Sequence, residues 1–359
     1  MTTPPAGTAA VTSWDHEVDG YLDALGRGDR QAALAQVHDL QARGSTVTEL
    51  IGSLLAPAQL RIGELWASDA WSVAQEHAAT AISEAVLTSL RSGSTESAPR
   101  AAGPDGPALV VTCVEQEWHA LPALMVAEHL RAEGFTVSYL GANASAQGLV
   151  RHVHETGPRA VLLSCSLSPF LPLLRRQLEA VRETGTPVVV GGSAFDAAGR
   201  RARVLGATAF ATSATGIAAL IETLPSAVPP APPLTHPGAE EAYAVFRDRE
   251  DLAEQVGRSV AEGYGLPFPP AYAERASAAT ADTAVAWLGT LDDQLPHLVG
   301  TVAGALVCDD PSLVFDSLGW AEDVLLHRGA PDDCGTRLRS ALHDSLRDLP
   351  VAARVLETL

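Results

Sequence analysis

The chain is expected to be a multidomain α and α/β protein: a four-helix bundle, then a doubly wound parallel sheet, then an all-helical C-terminal region. Three observations carry this expectation. Residues 12–92 repeat apolar side chains at helical spacing, residues 108–225 alternate short β-rich runs with helix-length segments, and residues 239–359 return to helical spacing without strand alternation.

Taken in order, the Pro-, Ala- and Thr-rich residues 1–11 read as a disordered tail. Four helical segments follow: VDGYLDALGRG, RQAALAQVHDLQARG, VTELIGSLLAPAQLRIGELWA and SVAQEHAATAISEAVLTSLRSG. Gly28 and Gly44 can end helices, and Ser72 with Gln75 three residues on gives the fourth helix a capping-box start. Residues 93–107 (GSTESAPRAAGPDGP) are a linker by composition.

The runs ALVVTCV, TVSYLG, RAVLLSCS, PVVVGG and ATAFATS read as parallel strands separated by helices. Ligands on such sheets bind beyond the carboxyl ends of the strands, which places functional residues at 113–122, 141–145, 164–169 and 191–195. The proline-rich stretch 226–238 reads as a semi-rigid spacer. Beyond it, helices are expected near 239–263, 280–305, 311–328 and 333–347, with an aromatic-proline hinge, YGLPFPPAY, at 264–272.

Composition excludes several classes. A formal charge of −19 opposes a phosphate backbone, and no basic cluster exceeds the arginine pairs 175–176 and 200–201, so nucleic-acid binding is not expected. The sequence contains no Lys, which removes a Walker-type phosphate loop, a pyridoxal Schiff base and a lysine nucleophile. Cys113, Cys165, Cys308 and Cys334 have no disulfide or zinc spacing. No apolar run approaches the about 18–20 residues that span a bilayer, and the N-terminus lacks a secretory signal, so a cytoplasmic chain without membrane contact is expected.

The chemistry gathers at the strand ends. EQEWHALP places Glu117, His119 and Pro122 in the spacing E-x-H-x-x-P, with Trp118 between the first two. A histidine on a loop can offer one ring nitrogen to a metal while a carboxylate two residues earlier holds the other. Alone, the pair fits equally a surface histidine at a helix start. The next strand end, SCSL, supplies the small hydroxyls Ser164 and Ser166 beside Leu167. VVVGGSAF puts Gly191, Gly192 and Ser193 where a ligand or a tight turn needs close backbone approach. The GxGxxG fingerprint of dinucleotide sites is absent.

A helical bundle followed by a doubly wound domain with a strand-end His, a Ser loop and a Gly-Gly strand end resembles cobalamin-binding modules of flavodoxin-like fold. Their pattern is D-x-H-x-x-G, then S-x-L, then G-G. The resemblance implies that His119 is the lower axial cobalt ligand, replacing dimethylbenzimidazole, whose tail passes Ser164 or Ser166 toward Gly191 and Gly192. Glu117 and Pro122 depart from the pattern's Asp and Gly. Trp66, nine intervening residues, then Glu76 and His77 match the W-x9-E-H signature of CarH-type photoreceptor modules. By that likeness the bundle caps the upper face of adenosylcobalamin, with Trp66 over the adenosyl group and Glu76 and His77 at the ribose hydroxyls. Ala67 stands where CarH-type proteins carry a histidine that takes cobalt after photolysis.

The C-terminal region, by its position and helical pattern, resembles the globin-like, biliverdin-binding domain of photocobilins. That likeness implies tetrapyrrole contacts at Tyr264, Phe268, Trp287, His297, Trp320 and His327 and propionate contacts at Arg247 or Arg275, each of which also fits a core aromatic or a solvated side chain. Cys308 and Cys334 are candidates for covalent attachment, against buried free thiols. The function implied is light sensing rather than catalysis: adenosylcobalamin photolysis coupled to a bilin, with output through domain rearrangement, a light-dependent homo-oligomer and a signalling partner. CarH-type proteins bind DNA through an N-terminal domain, which this sequence lacks ahead of its bundle, so operator binding is not expected. Two alternatives are a corrinoid methyl carrier of a methyltransferase system and a cobalamin-binding interaction module without bilin.

Overall fold

A computed structural model describes residues 14–93, 108–268 and 283–357. The expected tail (1–11), most of the 93–107 linker and Arg275 lie outside the described residues. The chain divides into two compact units, one comprising Met1–Trp66 with Trp71–Ser94, the other Ala67–Ala70 with Thr95–Leu359.

The first unit is helical: α1 (Asp15–Gly26), α2 (Arg30–Ala42), a short α3 (Val47–Glu49) running through a π turn (Leu50–Leu55) into α4 (Ala56–Ala67), and α5 (Val73–Gly93). Asp29 caps α2 by accepting from Ala32 N, and Thr46 and Glu49 form a reciprocal capping box on α3. Sequence periodicity reads the third helix as continuous, and the π turn within it has a local cause. Pro57 has no N–H to give to the preceding turn and its ring crowds a carbonyl there, so the ladder widens just before it. The core is built from apolar residues of α1, α2, the π turn, α4 and α5, with Tyr21, Leu54, Leu55, Ala58, Val86 and Leu87 fully buried.

In the second unit five parallel strands, β1 (Leu109–Cys113), β2 (Val137–Gly141), β3 (Ala160–Ser164), β4 (Val188–Gly191) and β5 (Ala209–Ala211), lie in the order β2-β1-β3-β4-β5. This is the flavodoxin-like order, whose switch point falls between β1 and β3. The crossovers are α6 (Ala120–Ala132), α7 (Ala146–Thr156), α8 (Leu171–Glu183) and α9 (Arg200–Val204), and α10 (Ile217–Thr223) follows β5. Strand alternation sorts the two faces. Leu109, Val111 and Cys113 pack with α6 and α10, while Val110 and Val114 pack with α7 and α8.

The C-terminal helices are α11 (Gly238–Arg247), α12 (Arg249–Glu262), α13 (Thr283–Cys308), α14 (Ser312–His327), α15 (Cys334–Leu346) and α16 (Pro350–Glu357). The expected helix near 239–263 is broken at Asp248, and α16 extends beyond the helices read from sequence; Glu241 caps it by accepting from Val351 N and Ala352 N. Sequence composition separates these helices from the sheet by a spacer at 226–238, whereas the structure joins them in one unit with a common apolar core. The reason is arginine. Buried Arg175 donates to the Leu205 and Pro232 carbonyls, Arg182 donates to the Pro229 carbonyl, and Val228 N donates to Gly185 O, which fastens the proline-rich stretch along the domain. Among the described residues no helix is long and apolar enough to cross a membrane.

Candidate functional site

Glu117 follows β1 in a tight turn, its N–H donating to Val114 O, and its carboxylate is fully buried. Both oxygens are used. Oε1 accepts from His119 N (3.1 Å) and contacts His119 Nδ1 (2.5 Å), while Oε2 accepts from the N–H groups of Ser166 (3.1 Å) and Leu167 (3.0 Å). Burial pushes the Glu117 carboxyl pKa upward, but the His119 hydrogen bond and charge and the backbone donors of His119 and Leu167 outweigh it, and the net shift is downward. The carboxylate therefore ties the β1 loop to the β3 loop across the switch point.

With Nδ1 held by Glu117, Nε2 is the nitrogen His119 can offer to a metal, and the side chain is 56% exposed. One imidazole so oriented suits a metal whose remaining ligands come with a macrocycle, and the residues present fit cobalamin on that ground. Trp118 is 72% exposed beside it, a large apolar face at the same loop. Pro122, the second departure from the motif, is exposed in the first turn of α6, where a missing N–H breaks no helical bond.

The remaining strand-end residues also meet here. Ser193 Oγ donates to Ser166 O (2.7 Å), linking the β4 and β3 loops, and Ser164, Ser166 and Leu167 are partly buried. The Gly-Gly pair is first a requirement of the chain itself. A Cβ on Gly192 (φ +116°) would lie 2.2 Å from Cys165 O, and one on Gly191 would lie 3.1 Å from Ala211 O. Gly192→Ala is accordingly expected to destabilise the fold by roughly 2–4 kcal/mol in urea denaturation, from clash plus a left-handed φ. A loss below about 0.5 kcal/mol would contradict that reading.

Sequence reasoning missed the supports of this loop. Gln116 has φ +67°, its N–H donates to Asn143 Oδ1 (2.9 Å), and Asn143 N donates to Glu117 O (3.1 Å). Buried Gln177 on α8 accepts from Glu115 N and donates to Ala144 O, tying the β1 and β2 loops together. Glu115, Gln116, Asn143 and Ala144 lie in stretches marked by the strand-end rule, which gives no sign of their mutual bonds; Gln177, on α8, lies outside those stretches and carries no local signal.

Within the helical unit, Trp66 lies in the last turn of α4 and Glu76 and His77 in the first turn of α5. Ser72 and Gln75 form the expected reciprocal cap. The Glu76 carboxylate contacts His77 Nδ1 and accepts from Thr80 Oγ1 (3.0 Å), and Gln59, Ser83 and Tyr21 continue the polar row. His77 is exposed. The second tryptophan, Trp71, serves structure: it packs against Gly26, where a Cβ would sit 3.0 Å from the indole.

The residues expected to hold a bilin divide. Trp287 is fully buried and edge-on to Tyr264 (5.6 Å), Tyr264 donates to Asp333, and Phe268 fills the space above Gly257. His297 belongs elsewhere: it packs edge-on to Phe170 (6.2 Å), and its pKa is lowered first by burial and then by nearby His119. Arg247 pairs with Asp248 at the surface, His327 Nδ1 bonds Asp323 O, and Trp320 is exposed. Cys308 and Cys334 are buried thiols whose pKa burial raises, which disfavours covalent attachment.

Residues 107–221 match a family model described as a B12 binding domain, and residues 17–91 match a second model of the same description. The HTH-type transcriptional repressor CarH of Myxococcus xanthus is 32% identical over 175 residues, 45% of this chain. That match covers 56% of the relative's length. Among solved structures, the monomethylamine corrinoid protein of Methanosarcina barkeri has a TM-score of 0.50 at 16% identity, covering 59% of this chain and 100% of that one. A cobalamin-binding protein from Desulfitobacterium hafniense DCB-2 is 22% identical with a TM-score of 0.32, covering 57% and 97%. The chain carries a B12-binding module, helical over 17–91 and sheet-forming over 107–221, similar in sequence to CarH and in fold to a corrinoid protein.

Proposed function

We propose that this chain is a cytoplasmic light sensor that binds adenosylcobalamin, with His119 as the lower axial ligand and Trp66, Glu76 and His77 as the partners of the adenosyl group. The observation that carries the reading is the buried Glu117 carboxylate, which fixes His119 by Nδ1 at the switch point of a flavodoxin-like sheet. When bound, the cofactor supplies a cobalt–carbon bond that light breaks. The protein's part is to orient His119, hold the tail near Ser164, Ser166, Gly191, Gly192 and Ser193, and register the loss of the adenosyl group through Trp66, Glu76 and His77. Output passes through domain rearrangement and altered self-association to a signalling partner.

The C-terminal helices, in a globin-like arrangement, take biliverdin as a second chromophore. Tyr264, edge-on to buried Trp287 and crossed by the Arg337 guanidinium 4.6 Å from its ring, supports this with an aromatic ring beside a cation.

Reconstitution with adenosylcobalamin and biliverdin, followed by absorption spectra and size-exclusion chromatography before and after green light, tests the reading. Light-dependent loss of the alkylcobalamin bands with a change in elution, and a shifted bilin band, are expected. Photolysis no faster than that of free cofactor, with unchanged elution, would favour a methyl carrier; an unshifted bilin band would favour a cobalamin module without bilin. Trp66→Ala is expected to keep cobalamin, since His119 remains, while losing most of the difference in elution between dark and lit samples. A variant whose two profiles matched wild type would make Trp66 a structural residue only.

A further inference from the structure

We infer that the C-terminal helices position the axial histidine, with Arg249 and Thr301 as the positioning residues. The inference rests on the reading of His119 as a cobalt ligand and adds that the ligand's geometry is set from outside the sheet.

Two braces reach the two loops that hold the Glu117–His119 pair. The first bears on the β1 loop. Gln116, immediately before Glu117, adopts a left-handed backbone that a residue with a side chain keeps only when its surroundings hold it. Arg249 Nη2 donates to Gln116 Oε1 (3.1 Å). Arg249 is itself fixed at the start of α12, with Nη1 donating to Phe246 O (2.9 Å) and its guanidinium 4.4 Å above the Phe246 ring. A guanidinium anchored at both ends makes a stiff strut, which a solvated side chain would not.

The second brace bears on the β3 loop, whose Ser166 and Leu167 N–H groups hold the other oxygen of Glu117. The next residue, Ser168, shares a hydroxyl–hydroxyl bond of 2.9 Å with buried Thr301 on α13. Thr301 is flanked by Gly300 and Gly304. A Cβ on Gly300 would sit 2.6 Å from Pro169 Cβ, and one on Gly304 would sit 2.4 Å from Ser168 O. The stretch GTVAG therefore removes side chains where α13 must meet the loop, and leaves one hydroxyl to bond it. His297, one turn earlier, accepts from Thr301 Oγ1 through its carbonyl and closes against Phe170 at the end of the same loop.

A bracing role of this kind is read in the coordination of cobalt. Full-length protein is loaded with adenosylcobalamin, photolysed without oxygen to the cobalt(II) state, and the share of cobalt carrying a nitrogen axial ligand is read by electron paramagnetic resonance, alongside the adenosylcobalamin Kd. Wild type must show a protein nitrogen ligand; if it does not, the His119 reading fails before the bracing is tested. Given that signal, Arg249→Ala and Thr301→Val are expected to lower the coordinated share and raise Kd roughly three- to tenfold, below the 10–100-fold typical of a group bonded directly to the ligand. Arg249→Lys and Thr301→Ser, which keep a donor, are expected to recover most of the signal.

From the loop side, Gln116→Ala removes the contact with Arg249 and Ser168→Ala removes the contact with Thr301, so each brace is tested by a second variant. The effect of Gln116→Ala should be non-additive with Arg249→Ala if the two residues act as one contact. Folded variants with wild-type coordination and Kd, or equal losses in Arg249→Lys and Arg249→Ala, would overturn the inference.

Discussion

His119→Ala is expected to bind adenosylcobalamin at least about tenfold more weakly and to leave the bound cofactor without its protein axial ligand, the size of loss seen when a metal site loses a ligand or its direct partner. The fold should survive. The His119 side chain is half exposed, and Glu117 keeps backbone donors at position 119, Ser166 and Leu167, so the stability loss should be about 1 kcal/mol. Titration of the purified variant followed by absorbance checks both halves. A His119→Ala protein with wild-type affinity and spectrum would remove His119 from the coordination sphere.

Glu117→Gln is expected to weaken cobalamin binding by about 10–100-fold with the histidine still in place, because it changes which ring nitrogen carries the proton. The amide offers one oxygen, and the Ser166 and Leu167 N–H groups claim it; its NH2 then faces His119, so Nδ1 must accept. The proton moves to Nε2, the nitrogen needed by the metal. The same variant alters the response to acid. A carboxyl whose pKa is lowered by folding stabilises the protein above the unfolded value, about 4.3, and that contribution is lost as pH falls through the folded value. Glu117→Gln should therefore show a shallower loss of melting temperature below about pH 4 than wild type. Equal acid limbs, or unchanged cobalamin affinity, would contradict the role given to the carboxylate.

The strand ends were legible because apolar runs of five residues or fewer, separated by helices, leave one place for polar side chains to converge; Glu117, His119, Ser166 and Gly192 all fall there. The Ser72–Gln75 cap was legible because its bonding is local. What escaped was long-range. Arg249 meets Gln116 from 133 positions away, and Trp71 meets Gly26 across the bundle. The union of sheet and C-terminal helices escaped for a different reason. Proline-rich composition predicts an extended spacer, and the Arg175 and Arg182 side chains that bond its carbonyls lie earlier in the chain. His297 was grouped with bilin contacts because an isolated histidine on a helix gives no sign of which loop it will face.

Among the tests, the most direct is electron paramagnetic resonance of the cobalt(II) cofactor in protein grown with 15N-labelled histidine. The account predicts that labelling changes the nitrogen superhyperfine splitting from a three-line to a two-line pattern in wild type and that His119→Ala abolishes it. A splitting unchanged by histidine labelling, whether from dimethylbenzimidazole or from no nitrogen at all, would contradict it.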